Sequence, residues 1–304
     1  MRLAARIIAI ASVLAATAAG RAQLLEPTAV VDGSEASDWI ASEDEEPPLF
    51  FAANRPAPDI ASPGPDLGDF PNSAFTLPRG GIYVEQGPFT LQTANRQVPV
   101  IYTWPFLLRF GLTDDVEFRV FGSGLTSISG PNGTTGFAPL ALDLKVHLWN
   151  DRMEVLRPAA SLEVFVQTTW GSQNLSGGTQ PSLNLNLDFP ITEATNIEMT
   201  LGYMGVQDPV LVVGPRGGSR LINLNVNEFS YQWALEHQVT DRFQIFVHGF
   251  YNGPIIFQSG QGIAVGIGYF YQLSDRWMLF NSYNTGLTTA TPPFFTQFGL
   301  AVAL

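Results

Sequence analysis

Polar and apolar residues alternate strictly along much of the chain from about Gly81 onward. In residues 182–189, three leucines and a phenylalanine take every second position, and Ser, Asn and Asp fill the positions between them. The same alternation runs through residues 140–148 and 228–236. A strict period of two predicts strands that have one apolar and one polar face. Many runs reach about ten residues, whereas strands in globular proteins usually have about five or six.

Short turns and longer loops alternate between these runs. Five short turns are rich in Thr, Ser, Asn or Asp, whose side chains bond to nearby backbone amides. Six further connections separate the strand pairs: five longer loops rich in Gly, Pro or Ser, and one tight connection. These six connections lie near 94–97, 122–137, 171–180, 206–222, 252–260 and 286–293. The stretch 206–222 has two interpretations, a gate or an extended hairpin. We favour the hairpin, because β-branched and apolar residues flank a Gly-rich turn there.

Eleven connections imply twelve strands. Their predicted starts lie near residues 81, 98, 116, 138, 154, 181, 196, 225, 242, 261, 276 and 294. Long two-faced strands with this alternation of connections predict an all-β fold, a 12-stranded antiparallel up-and-down transmembrane β-barrel with short periplasmic turns and longer outer loops. The alternation continues to Leu304, and closing the last strand onto the first leaves no edge in lipid. The alternative is a soluble β-sandwich or propeller.

Aromatic residues near the short turns fit a barrel better than a sandwich. An outer-membrane barrel carries girdles of aromatic rings at its two interfaces. A sandwich would instead place its aromatic residues in mid-strand. The girdle candidates are Phe110, Trp149, Phe189, Phe243, Tyr271 and Trp277.

Composition narrows the possible functions of the 304-residue chain. Charged residues make up 14% of it, against about a quarter in an average soluble domain. The absence of cysteine excludes disulfides, thiolate metal sites and a cysteine nucleophile. The 27 acids against 15 Lys and Arg, with Lys145 as the single lysine, argue against a nucleic-acid partner.

The N-terminus has the layout of a signal peptide. Arg2 and Arg6 precede an apolar run over 7–16, and small residues lead to a cleavage point after Ala22. A transmembrane anchor is the alternative, but only fourteen residues separate Arg6 from Arg21, against the roughly 20 that a spanning helix needs. We therefore predict a signal peptide at 1–22 and export to the outer membrane.

Residues 23–75 form a second region of distinct composition. They hold eleven acids, one arginine and eight prolines. Such a composition buries too little apolar surface to offset the entropy of ordering. We predict an acidic, Pro-rich disordered leader at 23–75, ahead of a barrel at 76–304. A periplasmic tether or a pore-occluding segment is the alternative, and the sequence does not separate the two.

Several motifs resemble one known family. Arg-Phe-Gly-Leu-Thr-Asp-Asp-Val-Glu-Phe-Arg at 109–119 is similar to the most recognisable motif of the family named for the MetA pathway of phenol degradation. Asn-Arg-Pro at 54–56, Thr-Leu-Pro-Arg-Gly at 76–80 and the Asp-Arg hairpins near the end are similar as well. The resemblance implies an outer-membrane, transporter-like barrel with a loose association with aromatic-compound pathways. It carries over no catalytic or ligand residue.

If the polar positions of the strands face inward, their side chains are candidates for the lining of the lumen. Twelve strands fall between the eight of filled barrels and the 16–18 of open channels, so we expect a narrow pore. Acids outnumber bases in this phase, which favours cations or neutral solutes. A cross-strand ion-pair network that stiffens a closed barrel is the alternative. The candidate lining residues of the permeation path are Arg109, Glu117, Arg119, Asp143, Lys145, Glu163, Asp188, Glu198, Glu228, Glu236, Phe165 and Phe246.

These features predict a channel for small solutes, including aromatic or hydrophobic compounds, by passive or semi-selective diffusion. A closed structural or anchoring barrel is the alternative, and a lipid-active enzyme is a remote one. We expect no enzyme, because the chain has no Gly-x-Ser-x-Gly motif and Ser230 lies too far from His237 along one strand. We also expect no cofactor or metal, because the three histidines lack ligand spacing. The expected partners are outer-membrane lipid, a small-molecule solute and the barrel-assembly machinery.

Overall fold

A computed structural model describes residues 57–95, 99–130, 133–152, 155–213, 219–254 and 261–304. The predicted signal peptide and residues 23–56 of the predicted leader lie outside this part of the chain. Within it, none of the helical residues forms a helix long and apolar enough to cross a membrane.

Strands dominate the described residues. In chain order they are β1 (Ile82–Gln92), β2 (Ile101–Thr113), β3 (Val116–Ile128), β4 (Thr134–Phe137), β5 (Ala141–Trp149), β6 (Ala159–Gln167), β7 (Gln180–Thr192), β8 (Thr195–Val213), β9 (Ser219–Thr240), β10 (Phe243–Pro254), β11 (Gly262–Ser274), β12 (Trp277–Gly286) and β13 (Phe295–Ala303). A single 3₁₀ turn at Gln173–Leu175 lies between β6 and β7.

Twelve of these strands form a closed antiparallel barrel. Each pairs with its neighbours in chain order, except that β3 pairs directly with β5. The ring closes between β1 and β13, where Tyr83 lies opposite Ala303. The short β4 pairs only with the last residues of β3 and stands outside the ring. Closure gives each of the twelve strands of the ring two partners, so the ring has no free edge.

The predicted twelve-stranded antiparallel barrel is confirmed. The segment 206–222 forms the extended hairpin that we favoured, because β8 and β9 stay paired up to Val213 opposite Ser219. The strand predicted to start near residue 154 starts at Ala159 instead. A bridge between Arg152 and Arg157 shapes the preceding connection, so the strand begins only after it. We call the end of the barrel with the short connections the turn end and the opposite end the loop end.

The two faces of the strands follow the period of two. On β7, Leu183 is 43% exposed on the outer surface, while Asn186 is fully buried inside the barrel. Outward positions elsewhere carry exposed apolar side chains such as Ile245 and Ile267. Near the turn end, Tyr271 and Trp277 are exposed on the outer surface, as girdle residues would be. The outer wall is therefore apolar, and the polar phase points into the lumen.

The lumen itself has two unlike halves. The wall formed by β2, β3, β5 and β6 turns buried charged side chains inward. The wall formed by β10 to β13 turns Phe246, Phe270, Met278 and Phe280 inward into one apolar cluster. This asymmetry allows the lumen to hold a chain segment that is itself polar on one side and apolar on the other.

Such a segment, residues 59–80, lies inside the barrel, and we call it the inner segment. Ile60 and Leu77 are fully buried in the apolar cluster, while Asp66 and Ser73 are buried among the charged strands. The prediction of a disordered leader is therefore corrected for residues 57–75. The pattern of Pro, Gly and Asp gives this segment no periodic structure of its own, and contacts with the barrel wall order it instead.

The inward and outward phases predict different responses to a new charge on β7. We expect Leu185→Arg to prevent assembly, because an arginine on the apolar outer face at mid-depth costs about 2–4 kcal/mol in lipid. We expect Asn184→Arg to assemble, because Asn184 donates to Glu163 inside the lumen at 3.2 Å. Heat-modifiable mobility on gels reports the folded barrel for both variants. Assembly of Leu185→Arg together with failure of Asn184→Arg would contradict the assigned faces.

Candidate functional site

The inner segment enters and leaves the lumen at the turn end. The amide of Ile60 donates to a carbonyl in the turn between β11 and β12 at 2.7 Å. The hydroxyl of Thr76 donates to a carbonyl in the turn between β2 and β3 at 2.8 Å. Between these points the backbone comes close to the wall, since a Cβ on Gly68 would lie 2.7 Å from Cζ of Phe270. The segment is thus a folded-back loop whose tip reaches the middle of the barrel.

Asp66 is the main electrostatic contact of the inner segment. Its Oδ1 lies 3.5 Å from Nη1 of Arg109, and its Oδ2 lies 3.0 Å from Nη2 of Arg119 and 3.1 Å from Nζ of Lys145. All four side chains are at most 3% exposed. One carboxylate of the segment therefore joins three cations of the wall, on β2, β3 and β5, away from bulk water.

Carboxylates of the wall complete the same network. Arg109 donates through Nε to Glu117 at 2.7 Å and through Nη1 to Glu85 at 3.3 Å. Arg119 donates to Glu163 through Nη1. The longer pairs are those of Arg119 with Asp143 at 3.4 Å and of Lys145 with Glu163 at 3.9 Å. We call Asp66 and these seven wall residues the charge network.

The three cations determine the ionisation of Asp66. Burial alone would raise the pKa of its carboxyl, but Arg109, Lys145 and Arg119 outweigh burial and hold that pKa well below its usual value of 3.8. A lowered pKa in the folded state means that the contact stabilises the docked segment at neutral pH. That stabilisation is lost only as the pH falls through the lowered pKa.

The inner segment has no regular secondary structure, so strand or helix pairing does not satisfy its backbone amides. Carboxylates of the wall accept hydrogen bonds from several of them. A buried amide without a partner is costly, so each one needs an acceptor. Asp188 accepts both the amide of Ala74 and the hydroxyl of Ser73 at 2.9 Å. Glu85 accepts the amide of Leu67 at 2.8 Å, and Glu117 accepts that of Leu77 at 2.7 Å.

An aromatic contact holds the tip of the inner segment on the other side. The ring of Phe70 stacks on His248 with centroids 3.9 Å apart, and it meets Phe250 edge-on at 4.9 Å. His248 is fully buried, and its Nε2 donates to Oδ1 of Asn284 at 2.6 Å. The wall therefore contains a place that binds an aromatic ring, which Phe70 fills.

Several cavities adjoin the inner segment, among them one toward the loop end and an acidic one toward the turn end. The cavity toward the loop end has a volume of about 370 Å³ and is lined by Phe106, Phe121 and Phe165 of the wall together with Phe70 of the segment. The rings of Phe121 and Phe165 meet edge to face at 5.5 Å. Aromatic surface thus faces whatever reaches the segment from the loop end.

The cavity toward the turn end is smaller and acidic. Its volume is about 210 Å³, and Asp188, Glu198 and Glu236 contribute to its lining. Ala61 and Ser73 of the inner segment form part of its wall. The inner segment therefore separates an aromatic cavity from an acidic one.

The sequence of the barrel identifies the family to which the chain belongs. Residues 66–304 match the sequence model of the family described as "Putative MetA-pathway of phenol degradation". The chain belongs to this family. The matched region begins within the inner segment, at the residue that joins the charge network, and it includes all strands of the barrel. No curated protein matches the sequence.

Solved structures with a similar fold include outer-membrane channels. The COG4313 outer membrane channel from Pseudomonas putida F1 aligns with a TM-score of 0.55 at 13% identity, over 77% of this chain and 99% of the channel. The NanC porin aligns with a TM-score of 0.47 at 8% identity, over 73% of this chain and 98% of the porin. At 13% identity, the alignment with the COG4313 channel shows that this chain shares its fold.

The structure brings the predicted lining residues of this family member together in groups. Six of the twelve belong to the charge network, three line the acidic cavity, and the other three are dispersed. The six are Arg109, Glu117, Arg119, Asp143, Lys145 and Glu163, and the three are Asp188, Glu198 and Glu236. Phe165 lines the aromatic cavity, Phe246 lies in the apolar cluster, and Glu228 lies near the loop end of β9.

Sequence reasoning kept a pore-occluding segment at 23–75 only as the alternative to disorder. It did not identify Asp66, Phe70 and Asn72, which supply the contacts of the inner segment to the wall. One signal was present in the register of the barrel. Arg109 and Arg119 lie directly opposite each other on β2 and β3, and such a pair of like charges favours carboxylates nearby. Glu117 of the wall already supplies one, at 2.7 Å from Arg109 and 3.5 Å from Arg119, so this signal alone does not identify Asp66.

The serine and histidine considered for an enzyme have other partners. The imidazole of His237 shares a hydrogen bond of 3.0 Å with the hydroxyl of Thr195. The hydroxyl of Ser230 donates to Asn252 at 2.6 Å. Neither contact pairs a serine with a histidine.

Neutralising Asp66 tests whether it holds the inner segment in place. We expect Asp66→Asn to undock the segment, because removing one partner of a buried ion pair costs about 3–5 kcal/mol. The chain has no cysteine, so Ser73→Cys supplies a single buried thiol on the segment. Maleimide labelling of that thiol in the folded barrel should become at least tenfold faster with Asp66→Asn.

Asp59→Asn is the matched control for this experiment. Asp59 lies on the same segment but is exposed to solvent. Its substitution should leave the labelling rate of the thiol unchanged. Equal labelling rates in both variants would mean that Asp66 does not hold the inner segment.

Proposed function

We propose that the protein is an outer-membrane channel for small solutes, with the lumen as its permeation path. The observation that carries this proposal is that a separate chain segment, rather than the side chains of the wall, fills the lumen. Eight-stranded barrels are filled by their own side chains. Here Asp66, Phe70, Asn72 and Leu77 of the inner segment occupy the space between opposite walls. Displacing the segment would leave a passage with charged side chains on one wall and the apolar cluster on the other.

The residues of the wall give this passage a charge preference. In the described lumen the acids of the charge network and of the acidic cavity outnumber Arg109, Arg119 and Lys145. A narrow passage lined with excess negative charge attracts cations and repels anions. The path we propose therefore favours cationic and neutral solutes, and the twelve predicted lining residues border it.

The aromatic cavity supports a preference for aromatic solutes. A solute that enters from the loop end meets Phe106, Phe121 and Phe165 before it reaches the inner segment. His248 and Phe250 of the wall already bind one aromatic ring, that of Phe70. Aromatic pairs contribute about 0.5–1.5 kcal/mol beyond the burial of their area. We therefore propose aromatic compounds as a favoured solute class of the channel.

The charge network also supports a second candidate, a closed structural barrel. A network of buried ion pairs that spans several strands would stiffen a barrel that never opens. Planar-bilayer recordings of the full-length protein separate the two candidates. We expect ion conductance that increases with Asp66→Asn and stays unchanged with Asp59→Asn. Absence of conductance in both the wild type and Asp66→Asn would favour the closed barrel.

Solute preference gives a sharper test. In bi-ionic recordings we expect phenyltrimethylammonium to be more permeant than cyclohexyltrimethylammonium by about two- to tenfold, the range that one aromatic contact supplies. Benzenesulfonate should be nearly impermeant because of its negative charge. The double variant Phe121→Leu/Phe165→Leu should remove the aromatic preference and keep the cation preference. An unchanged aromatic preference in that variant would exclude the aromatic cavity as its source.

A further inference from the structure

Three carboxylates meet where the inner segment passes β8 and β9. They belong to Asp69 of the segment, Glu198 of β8 and Glu236 of β9. One ligand oxygen from each lies within 4.8 Å of the other two. Three separate parts of the chain thus bring negative charge to one point, which we call the acidic triad.

The acidic triad has no compensating cation among the described residues. Glu198 and Glu236 are each only 9% exposed. Among the described residues, no lysine, arginine or histidine forms an ion pair with any of the three acids. The cations of the charge network are occupied by Asp66 and the acids of β1, β3, β5 and β6. Arg242 also lines the acidic cavity, but in the part of the chain that the structure describes no ion pair joins it to the triad. Buried carboxylates without compensation repel one another strongly, because burial weakens the screening by water.

An unsatisfied oxygen of Asp69 is the second observation at this point. Its Oδ2 is fully buried and accepts no hydrogen bond. A buried oxygen of this kind needs either a proton or a bound cation to be stable.

We propose that the acidic triad binds one divalent cation of the calcium type. Ca²⁺ prefers oxygen ligands, accepts six to eight of them, and tolerates irregular geometry and bound water. The acidic cavity of about 210 Å³ adjoins Glu198 and Glu236, and the side-chain amide of Asn196 donates to Glu198 there at 3.5 Å. This cavity lies at the turn end, so an ion can reach the triad without passing the inner segment.

The position of Asp69 gives the ion a structural role. Glu198 and Glu236 belong to the wall, whereas Asp69 belongs to the inner segment. An ion bound by all three would therefore tie the segment to β8 and β9. This attachment lies on the side of the lumen that the charge network does not reach, so the proposal does not depend on the protein being a channel.

Calcium titration of the full-length folded barrel tests this proposal. After treatment with a chelator, we expect isothermal titration with CaCl₂ to give one saturable site per barrel and CaCl₂ to raise the thermal unfolding temperature. MgCl₂ should bind more weakly, because Mg²⁺ demands a more regular octahedron. Glu236→Gln should weaken calcium binding at least tenfold. Glu193→Gln, which removes an exposed acid from the turn between β7 and β8, should leave it unchanged.

Asp69→Asn provides a second variant that leaves the barrel wall intact. It should weaken calcium binding as Glu236→Gln does, and it remains informative where a wall substitution impairs assembly. Absence of saturable binding to the wild type would overturn the proposal, as would equal calcium affinity in Asp69→Asn and Glu193→Gln. An unfolding temperature that rises with Glu236→Gln but not with calcium would mean that protons neutralise the triad, and would also overturn it.

Discussion

The docking of the inner segment depends on the pairing of one carboxylate with three buried cations. Arg109 and Arg119 lie opposite each other on adjacent strands, and Lys145 lies one strand further along. Without an anion between them, three positive charges would repel one another in a space that excludes water. The four wall carboxylates Glu85, Glu117, Asp143 and Glu163 already outnumber these cations, and Asp66 adds a carboxylate that contacts all three cations at once. The three cations together therefore hold the segment through this one side chain.

The fixed position of Asp66 determines how the rest of the lumen is filled. From this point the segment places Ile60 and Leu77 against the apolar cluster and Phe70 against His248. Full burial of a large aliphatic side chain contributes about 1.5–3 kcal/mol, so the apolar half adds to the electrostatic attachment. The division of the lumen into an aromatic and an acidic cavity follows from this arrangement. Charge sets the position of the segment, and apolar burial sets its orientation.

The alternation of polar and apolar residues predicted the barrel because the sequence of each strand shows which side chains face the lumen and which face outward. Asn184 and Leu185 could be assigned to opposite faces from the period alone, and the structure agrees. The inner segment could not be predicted in this way. Its order comes from contacts such as that of Asn72 with Glu163, 91 residues away, and no local pattern encodes such a contact. The composition of the segment predicted disorder, and its contacts with the barrel wall are what order it.

The same limit applies to the acidic triad, because residue spacing along the chain predicts no metal site there. The oxygens come from Asp69, Glu198 and Glu236, which only the closed barrel brings together. Asp66 and Asp69 are three residues apart on one segment, so a cation at the triad and the charge network would hold the same short stretch of chain. Two attachments of one element are thermodynamically linked, and each strengthens the other by the same factor. Any change that releases Asp66 must therefore also weaken a cation at the triad, and removal of that cation must loosen the contact of Asp66 with the wall.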